Sequence, residues 1–105
     1  MDTGGRERRG HPRKTVSCSV IVGDEACHVR DLSRSGVAFT SVRAMAEMSQ
    51  VRLSMDLPGS HRHIEGLGTV VRCEPEADGG WGVAVFFTEL DEEDREAIDL
   101  IVHGD

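Results

Sequence analysis

Two short groups of polar residues in this 105-residue chain have the types and spacing to bind a ligand. Arg9 and Arg13 are separated by three residues, and Asp31, Ser33 and Gly36 follow as an Asp-x-Ser-x-x-Gly segment. Guanidinium groups pair well with phosphate oxygens and with the O6/N7 edge of guanine, and a carboxylate can accept hydrogen bonds from the donor-bearing edge of that base. The two groups together predict a site for an anionic ligand with a flat, hydrogen-bonding face, which a guanine nucleotide provides.

In this order, Arg-x-x-x-Arg followed by Asp-x-Ser-x-x-Gly resembles the PilZ domain, a bacterial receptor module for cyclic di-GMP. The similarity extends from Arg8 onward. Val16 to Val22 and Gly82 to Phe87 resemble the first and last strands of the family, and Asp91 to Val102 resembles its C-terminal helix. Either motif alone is weak, whereas the ordered pair in this strand context is fairly specific.

The resemblance implies a role for each motif residue. Arg9 and Arg13 would contact the phosphates and the Hoogsteen edge of guanine, while Asp31 and Ser33 would read the base from the barrel surface. Gly36 would leave room for the turn and for the approaching ligand, because no Cβ projects there. The alternative is that the arginines are solvated tail residues and the second motif is a strand-ending turn.

Arg8 directly precedes the first motif. In the family, an arginine at this position goes with two mutually intercalated ligands, which implies up to two cyclic di-GMP molecules per chain. A second dianion calls for a further cation near the first. The alternative is that Arg8 is simply part of a basic arm.

The charge distribution argues against generic nucleic-acid binding. The net charge is −7, and residues 74–105 carry eleven acidic side chains and one basic, whereas residues 1–43 carry eight basic and five acidic. Nucleic-acid binders usually present a basic face and a high pI.

No apolar run of membrane-spanning length and no secretory signal is present, and the three cysteines lack a C-x-x-C pair. These features predict a protein of the bacterial cytoplasm with reduced thiols and no membrane partner.

Short β-rich segments separated by turn residues predict an all-β fold, a six-stranded antiparallel barrel of the PilZ-like split type with a C-terminal helix. Residues 1–12 are predicted to be a flexible arm that carries part of the first motif, and residues 13–105 to be a single barrel domain with the helix at 91–103. The expected strands are Thr15 to Val22, Ala26 to Asp31, Val37 to Thr40, Val51 to Leu57, Ile64 to Cys73 and Trp81 to Phe87. Val42 to Met48 has the composition for a helical turn, whereas the family resemblance implies a loop there.

Other candidate sites have simpler explanations. His61 and His63 share one face of an extended segment, but no third metal ligand is evident, so they are predicted to be surface residues and no metal site is expected. Trp81 is interpreted as a packing residue at the barrel rim, with base stacking as the alternative. No arrangement of nucleophile and base indicates an enzyme, and no cofactor is expected.

The predicted function is a non-catalytic cyclic di-GMP receptor that changes conformation when the ligand arrives and signals to a downstream protein partner. The first alternative is a PilZ-like adaptor that binds another protein and no nucleotide. The intact motifs argue against it. The second is a small β-barrel that binds nucleic acid, for which one Trp, three Phe and no Tyr provide few stacking platforms.

Overall fold

The computed structural model describes residues 14–15, 18–60 and 62–103. Within these ranges the chain forms seven strands and one helix, in the order β1 (Lys14–Thr15), β2 (Ser19–Val22), β3 (Glu25–Ser33), β4 (Gly36–Ser41), β5 (Gln50–Asp56), β6 (His63–Pro75), β7 (Trp81–Glu89) and α1 (Glu92–His103). The predicted arm, residues 1–12, lies outside the described residues.

The strands form one antiparallel sheet that closes on itself. Its order is β1-β3-β2-β5-β6-β7-β4, and a further pairing of β3 with β4 joins the two ends. Strands β2 to β7 therefore make a closed six-stranded barrel, and β1 lies beside the C-terminal part of β3. The predicted all-β barrel with a C-terminal helix is confirmed.

The barrel core follows the two-residue period of the strands. Leu53, Met55 and Leu57 are buried and Val51 is half-buried, which confirms the alternation expected for that segment. Ile98 of α1 is fully buried and joins the same core. The core side chains are Val20, Val22, Cys27, Val29, Leu32, Val37, Phe39, Leu53, Met55, Leu57, Ile64, Val70, Val83, Val85, Phe87 and Ile98. Each fully buried large apolar side chain contributes about 1.5–3 kcal/mol, so α1 is held partly by Ile98.

The first predicted strand, Thr15 to Val22, is two strands in the structure. Thr15 of β1 lies opposite Asp31, whereas Ser19 of β2 lies opposite His28. A bulge in β3 between Val29 and Asp31 shifts the register at this point. β1 and β2 pair with different parts of β3, and residues 16 and 17, which connect them, lie outside the described residues.

The segment from Val42 to Met48 forms no helix. Met48 has a positive φ of 72°, which interrupts any helical turn, and its N–H donates to the carbonyl of Val70 at 2.7 Å. This loop is therefore held against β6 by backbone hydrogen bonds. Helical propensity, which is a local property, does not predict such contacts.

The three cysteines are free thiols, with Cys27 buried and Cys18 and Cys73 half-buried, as expected. Burial raises the pKa of Cys18 and of Cys27. Among the described helices there is none with the length and apolar character to cross a membrane.

Candidate functional site

The second motif forms a tight connection between β3 and β4. Ser33 ends β3 and pairs with Gly36 at the start of β4, so Arg34 and Ser35 make a two-residue turn between them. Leu32 is fully buried in the core. Because side chains alternate along a strand, Asp31 and Ser33 lie on the outer side of the barrel wall. The fold thus brings the predicted ligand-binding residues of this motif together on the side of the wall that faces away from the core, where Asp31 is half-buried and Ser33 and Gly36 are buried.

Ser33 orders the turn in this structure. Its side chain is fully buried, and its Oγ accepts a hydrogen bond from the backbone N–H of Ser35 at 3.2 Å. The two hydroxyls of Ser33 and Ser35 also lie 3.0 Å apart. A serine that bonds a backbone group two residues ahead is a common way to stabilise a turn. Its expected contact with a guanine base stays a prediction.

Gly36 has a structural role that the sequence analysis did not identify. A Cβ at this position would run into the carbonyl oxygen of Val85 in β7. Gly36 lies opposite Phe86 in the register of β4 with β7. The absence of a side chain at Gly36 therefore permits close approach of two strands, and this requirement exists before any ligand arrives.

Arg34 connects the motif turn to the C-terminal helix. Its Nη1 donates to Asp99 Oδ2 at 2.7 Å, and its Nη2 donates to Glu92 Oε2 at 2.6 Å. Arg95 returns a hydrogen bond, from Nη1 to the carbonyl oxygen of Arg34 at 2.8 Å. The hydrogen bond to Glu92 is the largest cause that raises the pKa of the Arg34 guanidinium. The turn and α1 are thus joined by three charge-assisted hydrogen bonds.

Both arginines near the second motif form ion pairs with carboxylates. Arg30 forms an ion pair with Glu76, with Nη1 to Oε2 at 2.8 Å, and Arg34 is paired with the helix. Either arginine is positioned in the sequence to help offset the charge of a second ligand, but Arg34 is already engaged by carboxylates of α1. Its partners are 58 and 65 positions away in the sequence, so local spacing gives no signal for them.

The structure describes the residues that follow the first motif, but not the motif arginines themselves. Arg8, Arg9 and Arg13 lie outside the described residues. Lys14 and Thr15, which come directly after Arg13, form β1 and pair with Leu32 and Asp31 of β3. The chain that leaves the first motif therefore runs along the strand that carries the second motif.

The outer barrel face beside the motif is defined by strand register. One row across β3, β4 and β7 contains Ser33, Gly36 and Phe86, and the next row contains Asp31, Ala38 and Ala84. Val85 and Phe87 are buried, whereas 53% of Phe86 is exposed. An exposed aromatic ring consequently lies one strand away from the motif glycine.

Trp81 lies at the opposite end of the barrel from the motif turn. It pairs with Ser41, the last residue of β4, whereas Gly36 is the first residue of that strand. Trp81 is half-buried and packs against the core. The interpretation as a rim packing residue is confirmed, and its position excludes stacking on a ligand held at the motif.

His63 is bound by carboxylates rather than arranged as a metal ligand. Its Nδ1 lies 2.7 Å from Asp56 Oδ1, and its Nε2 lies 3.2 Å from Glu65 Oε2. The hydrogen bond to Asp56, followed by that to Glu65, raises the pKa of His63. Within the described part of the chain no group of three metal-ligating side chains is found. His61 lies outside the described residues.

Comparison with known proteins agrees with this geometry. A solved structure of the Bacillus subtilis inhibitor of motility, MotI/DgrA, superposes with a TM-score of 0.79 at 20% sequence identity. The match covers 87% of this chain and 47% of that protein, so the chain spans less than half of its length. No curated protein matches the sequence. The family model of the PilZ domain matches residues 6–104, and the chain therefore belongs to the PilZ domain family.

Proposed function

We propose that this protein is a receptor for cyclic di-GMP, without catalytic activity of its own, that passes the binding event to a protein partner in the bacterial cytoplasm. The observation that carries the proposal is the pairing of β1 with β3. It places the residues directly after Arg13 beside Asp31 and Leu32. The chain that directly follows the first motif thereby lies beside the strand that carries the second motif, which supports a shared site for the two motifs.

The side chains of the two motifs match the chemistry of cyclic di-GMP. Asp31 offers a carboxylate to the donor edge of guanine, and the arginines of the first motif offer forks to the phosphates and to O6/N7. The ligand stabilises the state in which the arm is closed, since it binds that state and not the open one. Residues 1–12 contain almost no apolar side chain, so closure depends on ligand contacts rather than on burial.

The route to a partner runs through Arg34. This residue belongs to the turn of the second motif, and its three hydrogen bonds reach Glu92, Arg95 and Asp99 of α1. A ligand that repositions the turn must also change these contacts. The helix is then the element through which an occupied site alters the surface offered to a partner.

Chemical-shift mapping with ¹⁵N-labelled protein tests the proposed site. Adding cyclic di-GMP is expected to shift the amides of Asp31 to Gly36, those of β7 near Phe86 and those of α1. Cyclic di-AMP serves as the control, because adenine lacks the O6 acceptor and should produce little change. Shifts confined to the opposite barrel end, around Gly23, Trp81 and the loop before β5, would contradict the proposed site. No shift with cyclic di-GMP would favour a nucleotide-free adaptor.

Removing Arg34 is expected to uncouple the helix from the site. Arg34→Ala should lower folding stability only slightly, as expected for ion pairs that are screened by solvent. Ligand binding should persist, but the change in hydrogen-exchange protection of α1 on binding should disappear. Arg62→Ala is the matched control. Arg62 also holds the helix, with its Nε 2.8 Å from Asp94 Oδ1, but it lies in the loop before β6. A normal helix response in Arg34→Ala would contradict this route.

The number of ligands depends on Arg8 in this proposal. The protein is expected to bind two stacked cyclic di-GMP molecules, because a third guanidinium on the arm offsets the repulsion between two dianions. Arg8→Ala should therefore bind one. Sedimentation or calorimetric titration gives the ratio, and Arg6→Ala is the control for loss of arm charge. A ratio of one in the parent protein, or of two in Arg8→Ala, would show that Arg8 has no such role.

A further inference from the structure

We propose that Phe86 is a ligand-contacting residue of this site, and that its exposed ring stacks on a guanine base of cyclic di-GMP beside the motif turn. The inference rests on the proposed function. The two motifs do not account for the exposure of Phe86. Phe86 is a large aromatic side chain with 53% of its surface exposed, in a strand whose neighbouring residues Val85 and Phe87 are buried.

The register positions Phe86 relative to the motif. Phe86 lies opposite Gly36 in β7, and Gly36 lies opposite Ser33 in β3. Neighbouring strands are about 4.8 Å apart, so Ser33 and Phe86 are about 10 Å apart across the outer face. Gly36 contributes no side chain to the interval between them. Ser33 and Gly36 are themselves buried, whereas 53% of Phe86 is exposed. Stacked rings approach to about 3.5–4 Å, so a planar base can lie against the exposed side of the Phe86 ring.

The same position leaves the edge of the base within reach of the polar groups. Asp31 is in the adjacent row on β3, opposite Ala38, and is half-buried. A base that stacks on the exposed side of Phe86 can therefore direct a hydrogen-bonding edge toward β3. Stacking provides contact with the π face, which every base has, whereas the carboxylate distinguishes guanine by its edge.

The motif turn is also fixed directly to this part of β7. The N–H of Phe87 donates to the carbonyl oxygen of Ser35 at 2.9 Å. The backbone that carries the Phe86 ring is thus hydrogen-bonded to the turn between Ser33 and Gly36. Phe86 is consequently held at a constant distance from the motif, which a stacking partner requires.

The test compares substitutions of Phe86 that keep or remove its π face. Phe86→Thr, which keeps a residue favourable in strands, is expected to weaken cyclic di-GMP binding by about 5- to 100-fold, the effect typical of losing one base–aromatic stack. Phe86→Trp should retain affinity, and Phe86→Leu, which keeps apolar area without a π face, should lose most of it. The upfield shift of a guanine H8 proton on binding should be present in the parent and absent in Phe86→Thr.

Ile21→Thr is the matched control. Ile21 is an apolar residue of a barrel strand with 46% exposure, and β2 lies three strands from β7 in either direction around the barrel. If Phe86→Thr changes affinity no more than Ile21→Thr does, with circular dichroism showing both folded, the stacking role is wrong while the receptor proposal stands. Equal affinity of Phe86→Leu and Phe86→Trp would also overturn it. A parent protein that binds no cyclic di-GMP would instead reject the proposed function, and this inference with it.

Discussion

Alanine at Arg9 or at Arg13 is expected to weaken cyclic di-GMP binding by at least about 100-fold, which corresponds to about 2.7 kcal/mol. Each side chain is proposed to make more than one charge-assisted hydrogen bond to phosphate or guanine, and such bonds contribute about 1.5–3 kcal/mol each. The melting temperature of the free protein should hardly change. Residues 1–12 contain almost no apolar side chain, and surface substitutions usually alter stability by less than about 0.5 kcal/mol.

Calorimetric titration and thermal melting measure these two effects separately. Arg6→Ala controls for the loss of one arm charge, since Arg6 is outside both motifs. Arg13→Lys is a second control, because lysine keeps the charge but lacks the planar fork, so intermediate affinity is expected. A parallel loss of folding stability and binding would place the two arginines in the structural core of the domain and contradict the proposed site.

Gly36→Ala is expected to destabilise the folded protein by about 1–3 kcal/mol, the usual effect of forcing an extra group into a packed position. The added Cβ would meet the carbonyl oxygen of Val85, a backbone atom that cannot move without shifting β7. Binding should weaken as well, because Gly36 adjoins both the turn and Phe86.

Gly82→Ala provides the comparison for this effect. A Cβ at Gly82 would meet the side-chain ends of Glu76 and Arg30, which can rotate away. Chemical denaturation should therefore show a smaller loss for Gly82→Ala than for Gly36→Ala. The contrary result is a Gly36→Ala protein that is fully stable and loses only binding. That result would mean that the glycine is needed to leave room for the ligand, and not for the close approach of β4 and β7.

Much of the fold could be predicted from residue patterns because each strand buries every second side chain. The alternation through Val51, Leu53 and Met55 indicated the buried face of β5. Glycines within a strand, such as Gly66 and Gly68 in β6, allow a bend or bulge. A register shift does occur between Leu67 and Gly68. Local patterns predict local structure well when burial and backbone geometry favour the same conformation.

Other features depend on partners that are distant in the sequence. The bulge in β3 between Val29 and Asp31 appears in its pairing with β4. The contacts of Arg34 with Glu92 and Asp99 require that the helix return to the motif turn. The acidic start of the helix complements the helix dipole, and Glu92 and Asp94 also form ion pairs with Arg34 and Arg62. Tertiary contacts of this kind have no signature in spacing.

The candidate site was predicted in its composition but not in its arrangement. The motifs identified Asp31, Ser33 and Gly36, and the structure brings these three residues together. Phe86 was assigned only to the last strand, because an exposed position of its ring depends on which residues alternate into the core. The ligand roles of Arg8, Arg9 and Arg13 stay predictions from the resemblance.

Isothermal titration of the unmodified protein with cyclic di-GMP tests the central claim most directly. The account predicts a saturable heat signal well below millimolar ligand, with much weaker binding of GTP and of cyclic di-AMP. Absence of detectable binding up to about 1 mM would leave contacts worth less than about 4 kcal/mol. That result would contradict the receptor function and favour an adaptor that binds protein alone.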